Sequence, residues 1–207
     1  MAGIIEVKDQ GKLRIYDADN SNYIDIVVPS TVSSNRTVTL PDASFTVPTV
    51  GGITMADQWV LTTDFSGDAS PISSNLARYT ADSSGYFGTG MTESSGVFTF
   101  PQTGNYLIKF KSNFILTGAD AQAQQAIIRI TTDNSSFSNA SASVQTQFRW
   151  GSSSPSYYNN SADYIFDVTD VSTHKCSFEI DVSDNNTVTR GDSNQLETSM
   201  QFIRLGE

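Results

Sequence analysis

Hydrophobic and polar residues alternate along much of this chain, which is the pattern of half-buried β-strands. The longest alternating run extends from Asn105 to about Leu116, where aromatic and aliphatic residues occupy most even positions and Lys109, Lys111 and Asn113 lie between them. The segment Cys176–Val182 alternates with the same period of two. No segment has the periodicity of an amphipathic helix. The sequence therefore predicts an all-β protein.

Further short strands are predicted along the whole chain, separated by turns rich in Gly, Ser, Asn and Asp. They are expected at residues 11–16, 23–28, 36–41, 59–63, 96–101, 126–131, 164–168 and 198–206. Many short antiparallel strands with such turns are typical of a β-sandwich or jelly roll.

The chain is predicted to have two parts, with a linker between them at Val47–Thr54. This linker contains Pro48 and the pair Gly51-Gly52, which interrupt regular structure. Residues 1–50 form a short N-terminal β module with too few large apolar groups to fold alone, so we expect it to pair with copies of itself or with a partner. Residues 51–207 form a C-terminal antiparallel jelly-roll sandwich.

Composition narrows the range of partners. The 207 residues carry a formal net charge of -10, and the arginines are scattered along the chain. Binding of nucleic acid relies on clustered Lys and Arg, so we exclude it. No apolar run approaches the length of a membrane helix, and residues 1–6 lack the basic and apolar parts of a signal peptide. We expect a protein made in the cytoplasm without insertion into a membrane.

The residues that could carry chemistry are few. Cys176 is the single cysteine, so no intramolecular disulfide is possible. Its alternating strand favours a buried core cysteine, and the alternative is a Cys–His nucleophile with His174, the single histidine, on the same strand face. No cofactor is predicted.

Acidic clusters offer two further alternatives. The pairs Asp181/Asp184 and Asp167/Asp170 could serve a glycan hydrolase, although such residues are usually solvated turn residues. The segment Asp17–Asn22 has oxygen ligands at alternating positions, which suits calcium, but it lacks the central glycine and closing glutamate of an EF-hand. We interpret it as a metal-free turn and predict neither a catalytic site nor a metal site.

Aromatic residues near the middle of the second part are candidates for recognition. Trp150, Tyr157 and Tyr158 flank a Ser/Pro segment and could contact sugars or a protein surface. The other interpretation, which we slightly favour, places Phe148 and Trp150 in a strand and leaves only Tyr157 and Tyr158 in the loop.

Two segments of the second part resemble a known family. Residues 95–108, with a strand, a Pro-x-x-Gly turn and an aromatic strand, resemble the core motif of the complement and tumour-necrosis-factor jelly-roll superfamily, and residues 200–206 resemble its last strand. The resemblance covers about residues 57–207. It implies a homotrimer packed around an axis, and we assign Tyr106, Phe166 and Phe202 to the trimer core.

The N-terminal part resembles a different group. Residues 11–23, 28–32 and 38–43 are similar to a module of structural proteins from marine tailed phages. This resemblance implies a non-enzymatic virion structural protein, either a fibre or a head-decoration protein. Its expected partners are other virion proteins, bound through the N-terminal module, and a glycan or protein of the host surface. It would lie on the virion surface. The alternatives are a glycan depolymerase, a host-receptor-binding tail-fibre tip and a cytokine-like binding module.

Overall fold

The computed structural model of the protein describes residues 12–27, 31, 33–34, 37, 53–81, 83–116, 122–146 and 155–206. The chain divides into two compact units, Met1–Val47 and Pro48–Glu207. The predicted strand at 36–41, except Thr37, and most of the predicted linker lie outside the described residues, as does Trp150. Within the described part of the chain, no helix is long and apolar enough to cross a membrane.

The described part of the N-terminal unit is a β-hairpin of β1 (Leu13–Tyr16) and β2 (Tyr23–Ile26). Asp17 closes the turn, because its carboxylate accepts hydrogen bonds from the backbone N–H and the side-chain amide of Asn22, both at 3.2 Å. These hydrogen bonds stabilise the turn from within the hairpin.

The two faces of this hairpin differ in polarity. On one face Arg14 donates two hydrogen bonds to Asp25, at 2.8 and 3.0 Å, and its guanidinium lies 3.6 Å from the centre of the Tyr23 ring. The hydrogen bonds from Arg14 lower the pKa of Asp25 to about 2. The opposite face consists of four aliphatic side chains that are each more than half exposed: Leu13, Ile15, Ile24 and Ile26.

The described part of the C-terminal unit contains twelve strands in two antiparallel sheets. They are β3 (Met55–Leu61), β4 (Thr63–Ser66), β5 (Leu76–Arg78), β6 (Thr92–Ser94), β7 (Val97–Thr99), β8 (Gly104–Leu116), β9 (Gln124–Thr131), β10 (Ser138–Gln145), β11 (Ser156–Val168), β12 (Lys175–Val182), β13 (Thr187–Asp192) and β14 (Ser199–Gly206). One sheet has five strands in the order β10-β9-β12-β7-β6. The other has seven, in the order β4-β13-β8-β14-β3-β5, with β11 paired to the free side of β8. The predicted all-β class is confirmed.

The Pro-x-x-Gly segment carries the chain from one sheet to the other. Pro101 follows β7 of the five-stranded sheet, and Gly104 begins β8 of the seven-stranded sheet. The hydroxyl of Tyr106 donates a hydrogen bond of 2.9 Å to the carbonyl of Gln102 and so ties this turn to the new strand. Gly104 has a φ of +127°, and a Cβ there would lie 2.4 Å from the carbonyl oxygen of Gly206. Both the backbone conformation and the space therefore require glycine.

Aromatic side chains from both sheets fill the core. The ring of Phe98 lies 5.2 Å from Trp59, 5.4 Å from Phe178 and 5.2 Å from Phe202, measured between centroids. Contacts of this kind between facing sheets each add about 0.5–1.5 kcal/mol beyond the area they bury.

The assignment of Tyr106, Phe166 and Phe202 to a trimer core is wrong. Tyr106 and Phe202 have 0% of their surface exposed and Phe166 has 4%, all within a single subunit. They lie on the inner faces of β8, β11 and β14, and they pack in the core of the sandwich. A side chain that is already buried in its own subunit has no surface left to share with a neighbouring copy.

Candidate assembly surface

The outer face of the seven-stranded sheet is open to solvent in the subunit. The even-numbered residues of β8 and β11 point into the core, and so do those of β14 from Met200 to Arg204. Most odd-numbered residues of these strands therefore point outward. We call the outward side of β3, β8, β11, β13 and β14 the open face. The strand registers determine which of its residues are neighbours.

An apolar row crosses one end of the open face. Ile203 on β14 is paired with Ala56 on β3 and with Leu107 on β8, and Leu107 is paired with Ile165 on β11. Four adjacent strands give this row a width of about 14 Å. Ile165 is 60% exposed, and Leu205, further along β14, is 47% exposed. Aliphatic groups in register across four strands form a continuous surface that a partner could cover.

The middle of the open face is polar. Gln58, Gln201, Lys109 and Asp163 form one row across the strands, and the Gln201 side chain donates a 3.2 Å hydrogen bond to Gln58. Lys109 and Lys111 border a depression of about 230 Å³. Its other lining residues carry amide or hydroxyl groups: Asn159, Asn160, Ser161, Ser199 and Gln201.

Tyr157 belongs to a second apolar group at the far end of the open face. It is 62% exposed and pairs with Ile115, which also pairs with Val188 of β13. Tyr158 points the other way and packs against the core. Both tyrosines lie in β11, not in a loop, so the loop placement of this pair is wrong. Tyr157 is therefore the more exposed recognition candidate of the two, and Tyr158 is half-buried.

A buried ion pair that was not expected from the sequence holds the edge of the same sheet. The carboxylate of Asp57 is buried and accepts hydrogen bonds from Arg78 at 2.8 and 3.0 Å, from the Trp59 indole at 3.0 Å and from the backbone N–H of Met91 at 2.7 Å. The hydrogen bonds that Arg78 donates to Asp57 raise the pKa of Arg78. All the donors come from the protein itself, so this carboxylate has a structural role.

The possible Cys–His nucleophile does not form. Cys176 is fully buried in the core, and burial raises the pKa of its thiol. The His174 ring stacks on Phe166 at 5.5 Å and interacts with the hydroxyls of Thr169 and Thr173 at 3.3 and 3.0 Å. A protonated, inaccessible thiol cannot act as a nucleophile.

Each acidic pair has one member in a strand, Asp167 in β11 and Asp181 in β12, and the other in the following turn. Asp170 accepts hydrogen bonds from the backbone and hydroxyl of Ser172, which lower its pKa, and Asp184 accepts two from Asn186. Among the residues that the structure describes, no group of three or more His, Cys, Asp or Glu side chains is placed to hold a metal ion.

Neither a protein-family model nor a curated protein sequence matches this chain. Solved structures do match. Murine APRIL at pH 5.0 has a TM-score of 0.53 with 10% identity, over 73% of this chain and 98% of APRIL. Eiger TNF from S. frugiperda also has a TM-score of 0.53, with 9% identity over 75% of this chain and 94% of Eiger. The chain contains a tumour-necrosis-factor-like jelly roll. At this level of identity, the likeness shows the fold alone.

The two segments that resembled this family have the expected positions in the jelly roll. Residues 95–108 contain the β6–β7 turn, β7 and the crossing to β8. The last strand, β14, lies inside the seven-stranded sheet between β3 and β8. The resemblance to the jelly-roll superfamily is therefore confirmed at the level of fold. The open face of this jelly roll is its candidate functional surface.

Proposed function

We propose that this protein is a structural component of a phage virion, which assembles as a homotrimer through the open face of its jelly roll and contributes to surface attachment. The observation that carries the trimer is the apolar row through Ile203, Leu107 and Ile165. Closing three copies around an axis would remove this row from water, and burial of apolar surface is the main favourable contribution to association.

The N-terminal hairpin supports a docking role. An isolated two-stranded hairpin is at best marginally stable in water. The four exposed aliphatic side chains on one face of β1 and β2 would gain stability by packing against another protein. The similarity of residues 11–23, 28–32 and 38–43 to a module of phage structural proteins supports another virion protein as this partner. We propose a fibre or head-decoration protein that is made in the host cytoplasm and displayed on the virion surface.

An attachment role would depend on many copies of one surface residue on the same particle. Tyr157 lies at the end of the open face opposite to the apolar row through Leu107, and the proposal leaves this end outside the trimer contact. Three copies of Tyr157, on one particle with many trimers, could bind a host glycan or protein through contacts that are weak individually. The mechanism is assembly and adhesion, without a chemical reaction.

The test is the mass in solution, measured by light scattering, of the full chain and of a chain that begins at Gly52. We expect both to have about three times the mass of their own chain, which is 22.4 kDa for the full chain. A trimer that survives the truncation would place assembly in the jelly roll and leave the N-terminal unit free for docking. Monomers in both samples would refute the homotrimer for the free protein.

A further inference from the structure

The basic side chains of this acidic protein are almost all held by partners within the subunit. Among the described residues, five form ion pairs with carboxylates: Lys12, Arg14, Arg78, Arg129 and Arg190. Lys175 and Arg204 donate to backbone carbonyls at 2.6 and 2.8 Å. Lys109 and Lys111 are the exceptions in this part of the chain, because neither forms an ion pair and Lys111 only approaches the carbonyl of Leu196 at 3.4 Å.

These two lysines stand side by side. They occupy alternate outward positions on β8 and line the depression in the middle of the open face. With hydroxyl and amide groups around them, they form a small positive pocket on a chain whose net charge is -10. Such a pocket attracts carboxylates.

Unpaired carboxylates lie on the neighbouring strand. Asp163 and Asp167 are exposed on β11, and within the described residues neither has an ion-pair or hydrogen-bond partner. In the described sheets β11 pairs only with β8, so it is the outermost strand on this side of the open face. Asp163 lies opposite Lys109 in the register, yet the two side chains form no ion pair within the subunit. Each copy therefore carries an unpaired positive pocket on β8 and unpaired carboxylates on the outermost strand of the same face.

We infer that a second copy of this chain fills the pocket: Asp163 and Asp167 on the β11 edge of one subunit pair with Lys109 and Lys111 on the open face of the next. This inference rests on the proposed homotrimer. A closed ring of three requires a contact between two different surfaces, one on each neighbour. The lysine pocket on β8 and the carboxylates on the adjacent outermost strand β11 differ in position and in charge, so a contact between them meets that requirement and fixes the direction in which the copies follow one another.

The test uses two charge-reversed chains, K109E/K111E and D163K/D167K. In sedimentation equilibrium, each alone should assemble roughly tenfold or more weakly than the original chain, because like charges now meet at every interface. In a mixed trimer two of the three interfaces join different variants and pair opposite charges, while the third still has like charges. An equimolar mixture should therefore assemble more tightly than either variant alone and less tightly than the original chain. The chain with all four changes should assemble by itself.

The mixture separates the inference from its alternatives. A pair formed only within a subunit would be restored by the four changes in one chain but not by mixing two chains. A mixture no better than its components, or single variants that assemble as tightly as the original, would overturn the inference while leaving the homotrimer intact. A monomeric original chain would instead refute the proposed function itself.

Two controls keep the result interpretable. Asp181 is an exposed strand aspartate on the five-stranded sheet, so D181K changes the net charge as D163K does but should leave assembly unchanged. The neutral variant K109Q/K111Q should weaken assembly less than K109E/K111E and should lose part of its salt dependence. Thermal melting of every variant at a concentration where it is monomeric verifies that the subunit still folds.

Discussion

The sharpest test of the open face is the replacement of Ile165 by threonine. Ile165 is 60% exposed in the subunit, and full burial of such a side chain stabilises by about 1.5–3 kcal/mol. Its exposed fraction could therefore contribute about 1–2 kcal/mol per copy on assembly. Threonine keeps the β-branch that suits a strand but loses most of this apolar surface.

Three copies lose this contribution together in a trimer. At the lower value of about 1 kcal/mol per copy the total is about 3 kcal/mol, which lowers the trimer association constant at least about 100-fold and raises the concentration of half-assembly at least about tenfold. Sedimentation equilibrium over a range of concentrations measures this shift. The melting temperature of the monomeric subunit should stay nearly constant, because Ile165 lies outside the core.

A matched control lies on the other sheet. Val144 on β10 is 56% exposed, so V144T makes a similar change on a surface that the proposed trimer does not use. It should leave assembly unchanged. The reasoning would be refuted if I165T and V144T shifted assembly equally, or if neither shifted it. By contrast, F202A, at a fully buried position, should destabilise the subunit itself by about 3–5 kcal/mol.

Three further predictions concern the subunit. D57A removes the acceptor of three neighbouring residues and should lower the free energy of unfolding by about 3–5 kcal/mol in chemical denaturation, because the Arg78 guanidinium and the other donors lose their partner; a loss below about 1 kcal/mol would contradict the structural role of this pair. Cys176 should resist thiol reagents in the folded protein and react after denaturation, and rapid native labelling would show that the core is open. The pKa of Asp25 is lowered to about 2, below its unfolded value near 4. Its ion pair with Arg14 should therefore stabilise the hairpin fully above about pH 4, and this stabilisation should be lost as the pH falls through 2. An NMR titration of the Asp25 carboxyl measures this change.

The sequence predicted well the strands whose two faces differ strongly. β8 and β12 alternate between large apolar and polar residues, and their observed bounds are within one residue of those predicted. Turns rich in Asp, Asn and Ser were predicted between the strands, and one follows the strand predicted at 126–131. The Asp133 carboxylate there accepts hydrogen bonds from the backbone N–H of Ser135 and Ser136 at 2.9 and 2.7 Å. In these segments local pattern and final structure agree.

Strands made of small polar residues were missed. β10 has the sequence Ser-Asn-Ala-Ser-Ala-Ser-Val-Gln, and β13 consists mostly of polar residues and glycine. The first half of β11 was taken for a loop because Asn159, Asn160 and Ser161 hide the alternation. These segments are strands because neighbouring strands supply hydrogen bonds, which is a tertiary effect that a single sequence does not show.

The error over the trimer core has the same origin. Consecutive apolar residues such as Ile165 and Phe166 indicate that both faces of a strand are covered, but they do not reveal which face meets the subunit's own core. The structure places Phe166 inside and Ile165 outside. The residue available for assembly is therefore the smaller and more exposed member of the pair, and only the register with Leu107 and Ile203 shows that it belongs to a continuous row.

This division along each strand explains how the chain can share a fold with proteins to which it is 9 or 10% identical. The inward positions of β8 need only be apolar and of suitable volume, so many sequences satisfy them. The outward positions contribute little to the subunit's stability, and they can therefore change until they suit a particular partner. On β8, Leu107 belongs to the apolar row, and Lys109 and Lys111, at the next two outward positions, line the charged pocket. The outward residues, which the fold does not constrain, therefore determine which partner binds. Experiments on function have to substitute those residues.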